Sequence, residues 1–507
     1  MKIKEYIVKN KILIIVCAFF LVMSFGAFTF LYTIGVDSEY AIFIENSATY
    51  RWIAQGRFGI GLTKLIFNTN QILPFRNTII ALFCIAFNCL IICKIFGKLS
   101  EKENKFANII FCVIYVTLPI SAHYMYFTTY NFEVSLAMIL VTISIYYINN
   151  IILLKEYVFN KYIDILVSVL LLALAISFYQ SMITVYISLV IVCLVLYLIN
   201  NKINVYNFKE IIKIILKYVV LLIISFSIYF LIDKILSCFV IKEAYTSGFI
   251  GWKNSSYKSI IKELFEYLKK IYINDGIYGF FIVKPTLVLS LILGIYYIIK
   301  AKKNKIMILF LMVVLNLVPM FISILLGTCM PYRTQQAFLI VIPSIWYIAC
   351  IVIKNFKIRN IFLILAIFVG FRQSMYINKL FYSNYLRYQY DINLSNQISD
   401  RIQELNIPNK NEYPVVYLGK VESPKIPNII KQEVIGYSVY EWDNGNYVRI
   451  QALMTMSGEN NKLVYYLEKD NETLNKAHEL AKDMPSWPSK ESIALKDNLI
   501  IVKLSED

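Results

Sequence analysis

The sequence predicts a mainly α, polytopic membrane protein of about eleven transmembrane helices, followed by a small α+β domain at the C-terminal end. Three observations carry that reading. The 507 residues are 58% hydrophobic, with a mean hydropathy of +0.61, well above the roughly 45–50% apolar share of soluble domains. Apolar runs long enough to cross a hydrocarbon core of roughly 30 Å recur along most of the chain. Lysines and arginines crowd alternate connections between those runs.

In chain order the runs fall near 12–32, 77–97, 106–121, 131–150, 163–178, 181–199, 214–236, 281–299, 306–327, 335–353 and 360–377. The first is too long for the apolar core of a signal peptide, and no small-residue cleavage pattern precedes Asp37, so it is expected to be an uncleaved anchor. Lys2, Lys4, Lys9 and Lys11 precede it; Lys98, Lys102 and Lys105, then Lys155 and Lys161, fill later connections on the same side. Lys202, Lys209, Lys213 and Lys217 continue that side, as do Lys300, Lys302, Lys303 and Lys305, then Lys354, Lys357 and Arg359. The opposing connections 121–130 and 178–181 contain no lysine or arginine. The positive-inside rule therefore predicts a cytoplasmic N-terminus, and an odd number of spans places the C-terminal domain outside.

Three segments leave the membrane, all on the outer face: about 33–76, 237–280 and 378–507. Residues 1–377 are thus expected to form a membrane module with outer loops 33–76 and 237–280, and residues 378–507 an extracytoplasmic domain. Ser38 to Gln55 has helical character and an aromatic density suited to the headgroup level, before Gln55-Gly56-Arg57-Phe58-Gly59 breaks it. Ile260, Ile261, Leu264, Phe265, Leu268 and Ile271 repeat at helical spacing opposite Lys262, Glu263, Glu266, Lys269 and Lys270, with Asn274-Asp275-Gly276 as the stop. In the tail, Asp391 to Leu405 reads as an amphipathic helix, and 413–419 and 499–504 read as strands.

Charge and cysteine placement exclude several classes. The net charge of +17 divides into +20 over the first 377 residues and −3 over the tail. The excess is an orientation signal and a contact with anionic lipid rather than a nucleic-acid patch. All nine cysteines sit in or beside apolar runs, so buried structural thiols are expected and no disulfide framework is indicated. There is no Walker loop, dinucleotide glycine motif or zinc pattern, which disfavours a nucleotide sugar as direct donor.

Gly35-Val36-Asp37-Ser38-Glu39-Tyr40 puts two carboxylates at the outer mouth of the first span, a position costly to keep near lipid. Its companions are Trp52 with Gln55-Gly56-Arg57, Phe178-Tyr179-Gln180-Ser181, and Tyr388 to Arg401. Together these resemble the bacterial serotype-converting glucosyltransferase II family, within the GT-C class of membrane glycosyltransferases. The similarity covers most of 1–377 and the start of the tail. The resemblance implies a GT-C-like membrane module in the bacterial cytoplasmic membrane. It also implies transfer of a hexose, glucose by default, from a polyprenyl-phosphate carrier to a cell-surface acceptor glycan.

An inverting transfer needs a base for the acceptor hydroxyl and cationic donors for the leaving phosphate. Asp37 is the first candidate base and Glu39 the second; Asp37 would equally serve as the N-cap of the following helix, and the two roles are compatible. Glu45 is a third acidic candidate, alternatively a solvated rim charge. For the phosphate, Arg333 stands alone in its short outer connection and Arg57 sits between glycines that admit close approach. Either would also suit a headgroup anchor. Tyr179, Gln180 and His123 lie at outer turns, where they would contact sugar hydroxyls or satisfy buried polar groups. No cofactor is required by these motifs; a divalent cation beside Asp37 and Glu39 is compatible with them, but no third ligand specifies a metal site. The expected partners are the polyprenyl-phosphate sugar, the acceptor glycan and the lipid bilayer, without nucleic acid. A flippase for lipid-linked glycans and a glycan polymerase or ligase are the competing classes. The flippase predicts charges within the spans, yet the acidic residues near them, Glu133, Asp164 and Asp233, all lie close to span ends.

Overall fold

A computed structural model describes residues 8–38, 47–67, 73–100, 103–199, 208–241, 248–273, 282–300, 305–459 and 471–506. The chain divides into two compact units, Met1–Phe30 with Asn46–Asn378, and Leu31–Glu45 with Lys379–Asp507.

The first unit is helical because its apolar runs leave the backbone no partner but itself. Among the described residues eight helices are long and apolar enough to cross a membrane, including Lys11–Phe30, Pro74–Leu99, Lys161–Phe178 and Phe208–Leu236. The remaining three expected runs form shorter apolar helices, Lys105–Thr117, Met182–Tyr197 and Phe338–Val352. Local chemistry explains the shortening. Pro119 holds Leu118 extended and starts a separate Ile120–Met125 helix. A turn at Tyr179–Ser181 precedes the second short helix, and a 3-10 turn at Tyr332–Thr334 lies before the third. Helix starts carry caps: Asn104 accepts from the amide of Ala107, Asn160 from Tyr162 and Ile163, and Ser256 from Ser259.

Polar side chains within these helices bond one another, which removes the cost of carrying them into lipid. Ser24 meets Ser374 at 2.9 Å, Asn88 meets Tyr115 at 2.8 Å, and Tyr218 donates to Asn149 at 2.6 Å. Phe83, Ile223, Phe230, Leu231, Ile364 and Phe368 are exposed, as a lipid-facing surface requires. The Tyr257–Tyr272 helix buries Ile260, Leu264, Tyr267 and Ile271 and leaves Ile261 and Phe265 outward. Its expected stop at 274–276 lies outside the described residues, as does most of the stretch between Ser38 and Ser47.

The second unit is built on a three-stranded sheet of order β1-β3-β2: β1 Val415–Leu418, β2 Ile493–Lys496 and β3 Leu499–Lys503. β1 runs parallel to β3 and β2 antiparallel to it. Alternation gives the sheet two apolar faces. Val415, Tyr417, Ile500 and Val502 pack with Leu394, Ile398 and Ile402 of the long Phe356–Glu404 helix, with Ile450 and Leu453, and with Ile34. Val416, Leu418 and Ile501 pack with Ala477, Ala481 and Met484. Each fully buried Ile or Leu contributes about 1.5–3 kcal/mol. β2 was not among the expected strands; its signal is the two-residue Asp497-Asn498 turn, both residues left-handed, between apolar runs.

Beyond the apolar part of its helix, Asp391 lies buried, accepting hydrogen bonds from the Ser438 hydroxyl and from the Val439 amide at 2.9 Å. Burial raises its carboxyl to about 7, against those hydrogen bonds and the nearby Arg387. The folded unit therefore holds this proton more tightly than the unfolded chain. Stability from it is full below about pH 4 and is lost as pH rises through 7, at about 1.4 kcal/mol per pH unit and up to roughly 4 kcal/mol in all. Thermal unfolding of the detergent-solubilised protein should accordingly show a melting temperature that falls between pH 5 and 7.5. Asp391→Asn should flatten that slope; an unchanged slope contradicts the assignment.

Candidate functional site

In the first unit the polar residues picked from the sequence converge on the Phe178-Tyr179-Gln180-Ser181 turn. The Ser47–Ala54 helix ends where Gly56 adopts φ +73°, and the amide of Arg57 returns to the Trp52 carbonyl at 2.8 Å. A side chain at Gly56 would meet the Tyr229 hydroxyl at 3.0 Å and the Asp233 carboxylate at 3.3 Å. Glycine is thus required twice there, by conformation and by space. Arg57 then leads into the Phe58–Ile66 helix.

The Arg57 guanidinium lies over the Tyr179 ring at 4.8 Å and the Trp52 ring at 5.7 Å. Its Nε is buried without a hydrogen-bond partner, and among the described residues no carboxylate pairs with it. Tyr179 stacks on Tyr130 at 6.2 Å, Tyr130 on Phe127 at 5.1 Å, and Arg333 sits over Phe127 at 5.0 Å. The two arginines are therefore joined through one chain of aromatic contacts, each held by a ring face that attracts cations.

The turn's other residues fix the two arginine-bearing segments. Gln180 Nε2 donates to the Gly56 carbonyl at 3.4 Å and to the Tyr229 hydroxyl at 3.2 Å, and Tyr229 itself donates to that carbonyl at 3.1 Å. Ser181 donates to Gln336 Oε1 at 2.6 Å, while Gln336 Nε2 donates to the carbonyl of Arg333. His123 is buried, its ring edge-on to Tyr332 at 5.3 Å, next to Arg333 in the chain. On the segments that carry Arg57 and Tyr130, Lys64 pairs with Glu133 at 3.3 Å and donates to the Thr129 carbonyl at 2.6 Å, both charged side chains buried.

Asp37 belongs to the second unit. It occupies a turn in which the Ser38 amide donates to the Gly35 carbonyl at 3.0 Å, and its own φ is +74°. Its Oδ1 lies 3.4 Å from Arg449 Nη2, and Arg449 Nε reaches Asp443 Oδ2 at 3.1 Å. Arg449 is the cation that the described residues place beside Asp37. Glu39 and Glu45 lie outside the described residues, as do the helix positions that Asp37 would cap. Among the described residues, the grouping of three metal-capable side chains is Cys17, Cys89 and Cys112, their sulfurs within 4.8 Å of one another on three apolar helices.

Sequence reasoning did not single out Tyr130, Phe127, Tyr229, Gln336 or Arg449. The first two carried a signal, an aromatic-rich connection without lysine or arginine. The tail aromatics Tyr447 and Trp487 pack against its core, and Trp442 lies edge-on to Tyr437 at 5.2 Å.

A multi-pass helical unit with cationic and aromatic side chains gathered at helix-connecting turns defines a membrane protein with an arginine–aromatic cluster between its helices. The chain belongs to the glucosyl transferase GtrII family, whose model matches residues 26–353, and it is a membrane glycosyltransferase of that family. The match contains Asp37, Glu39, Glu45, Arg57, His123, Tyr179, Gln180 and Arg333, and it ends before Tyr388 to Arg401. Neither a curated protein nor a solved structure matches the chain.

Proposed function

We propose that this glycosyltransferase moves a hexose, glucose by default, from a polyprenyl-phosphate carrier to a cell-surface polysaccharide on the outer face of the bacterial cytoplasmic membrane, with inversion at the anomeric carbon. The observation that carries the donor assignment is Arg57. It is a half-buried guanidinium clasped by two rings, with a donor nitrogen that no described residue satisfies. An unsatisfied buried donor is costly, and a phosphate oxygen is the acceptor that suits a planar guanidinium best.

In the reaction, Asp37 takes the proton of an acceptor hydroxyl as its oxygen attacks the anomeric carbon. The bond from that carbon to the phosphate oxygen breaks, and polyprenyl phosphate leaves with one more negative charge, which Arg57 and Arg333 stabilise. Glu39 and Glu45 are reserved for orienting the acceptor, and Tyr179 and His123 for lining the sugar. The charge asymmetry of the connections supports the outer-face assignment. Local contacts of the three acidic residues near the spans weigh against transport. Asp164 accepts from the amides of Val158 and Phe159, Glu133 pairs with Lys64, and Asp233 lies against Gly56.

The test is transfer by the reconstituted protein from polyprenyl-phosphate glucose to the matching glycan. Arg57→Ala should lower kcat/KM for the donor by about 10–100-fold, the worth of a charge-assisted hydrogen bond, and leave the acceptor KM unchanged. Arg57→Lys should fall between, because it keeps the charge without the planar fork. Transfer from diphosphate-linked oligosaccharides but not from any monosaccharide phosphate would replace this reading with a polymerase or ligase.

A further inference from the structure

The geometry points to Arg449, in the tail, as a positioning residue for Asp37. The inference rests on the proposed role of Asp37 as base and concerns what holds that base in place. Arg449 lies beyond the region matched by the family, whereas Asp37 lies within it. The tail thereby acts on the chemistry.

Exposure is the first support. The Arg449 side chain is 10% exposed, against 48% for Asp37 and 45% for Asp443. A surface ion pair of two mobile side chains has little directing power; here the cation is fixed and the carboxylate is the accessible partner. Arg449 is fixed because it stands in the first turn of the Tyr447–Met456 helix, where Asn446 caps the amides of Val448 and Arg449. That helix is anchored by Ile450 and Leu453 in the same apolar core that holds Ile34. The chain leading to Asp37 is also tied to this unit, since Asn384 Nδ2 donates to the Thr33 hydroxyl at 2.7 Å. Both partners of the 3.4 Å contact are thus carried by one packed core.

Backbone conformation is the second support. Asp37 at φ +74° and Asp443 at φ +52° are both left-handed, and both carboxylates converge on the one guanidinium. Non-glycine residues persist there when their surroundings hold them, and such positions gather at functional sites. One guanidinium shared by two carboxylates orients them and leaves the group a net negative charge, as a base requires. Arginine suits this role because it keeps its charge at any working pH and holds its donors in a rigid plane.

The experiment compares wild type, Arg449→Gln, Arg449→Ala and Arg449→Lys as full chains reconstituted with polyprenyl-phosphate glucose and acceptor glycan. Lys431→Ala, which breaks the Lys431–Glu441 ion pair elsewhere in the tail, is the control. Arg449→Gln and Arg449→Ala should lower kcat about 10–100-fold, the scale expected when a reacting group is misplaced, while the donor KM stays within about 2-fold. Arg449→Lys should recover most of the loss, and the control should match wild type. If Arg449→Ala fails to accumulate, Arg449→Gln, which keeps the stem and a hydrogen-bond donor, decides the matter. A kcat for Arg449→Gln within about 2-fold of wild type overturns the inference. So does a loss shared by kcat and both KM values with a lowered melting temperature, which marks a purely structural role. Full transfer by Asp37→Asn would instead remove the base assignment itself. An inactive Asp37→Asn beside a normal Arg449→Gln would remove only the role of Arg449.

Discussion

Asp37→Asn is expected to reduce sugar transfer by about 10²–10⁴-fold, the contribution of a general base, without reducing the amount of protein in the membrane. Asparagine has the same shape and tolerates the left-handed backbone that the turn imposes at φ +74°. It also keeps an oxygen able to accept from Arg449, so the 3.4 Å contact can survive in neutral form. The substitution thus removes proton-accepting ability and little else. Initial rates measured by mass spectrometry, with membrane protein quantified in parallel, check the expectation. Equal rates in both proteins would take Asp37 out of the mechanism and direct attention to Glu39 and Glu45.

The second large effect is on stability. Lys64→Met should destabilise the first unit by about 3–5 kcal/mol, the range for breaking a buried ion pair from one side. Lys64 and Glu133 have side chains 4% and 1% exposed, and the second carboxylate oxygen of Glu133 already lacks a hydrogen-bond partner. Without the ammonium, the carboxylate would be left buried without a counter-ion. The Thr129 carbonyl would also lose its donor. Lys64→Met with Glu133→Gln should recover most of the loss, because the uncompensated charge is gone. Thermal unfolding in detergent, read through tryptophan fluorescence, distinguishes these outcomes; a single variant as stable as wild type would show that the pair contributes nothing net. Activity should fall as well. Lys64 follows Arg57 on the same helix-bearing segment, and Thr129 and Glu133 flank Tyr130, whose ring carries Tyr179.

Much of the architecture was legible because it is written in short-range pattern. Apolar length identifies a span, and Pro119 marks where one is cut short. The spacing of Ile260, Leu264 and Ile271 reports a helix with one packed face. The β2 strand was missed because Ile493-Ala494-Leu495-Lys496 is poor in β-branched and aromatic residues, whereas the equally short Val415-Val416-Tyr417-Leu418 is rich in them. Among the candidate site residues, Arg57, Tyr179 and Arg333 could be chosen from charge and place in the connections. Their joining through Tyr130 and Phe127 could not, since an aromatic residue in a sequence does not declare which ring it stacks on.

By itself the sequence determined the membrane class, the positions of the apolar helices, the change of composition at the tail and the acidic turn after the first span. Tertiary structure alone decided partnership. Gln180 supports the Gly56 turn, Ser181 reaches the Arg333 segment through Gln336, and Asp37 meets an arginine 412 residues away. The physical reason is that periodicity and hydropathy are local properties that say whether a side chain is buried. What it is buried against depends on how distant segments pack, and that packing has no local signature.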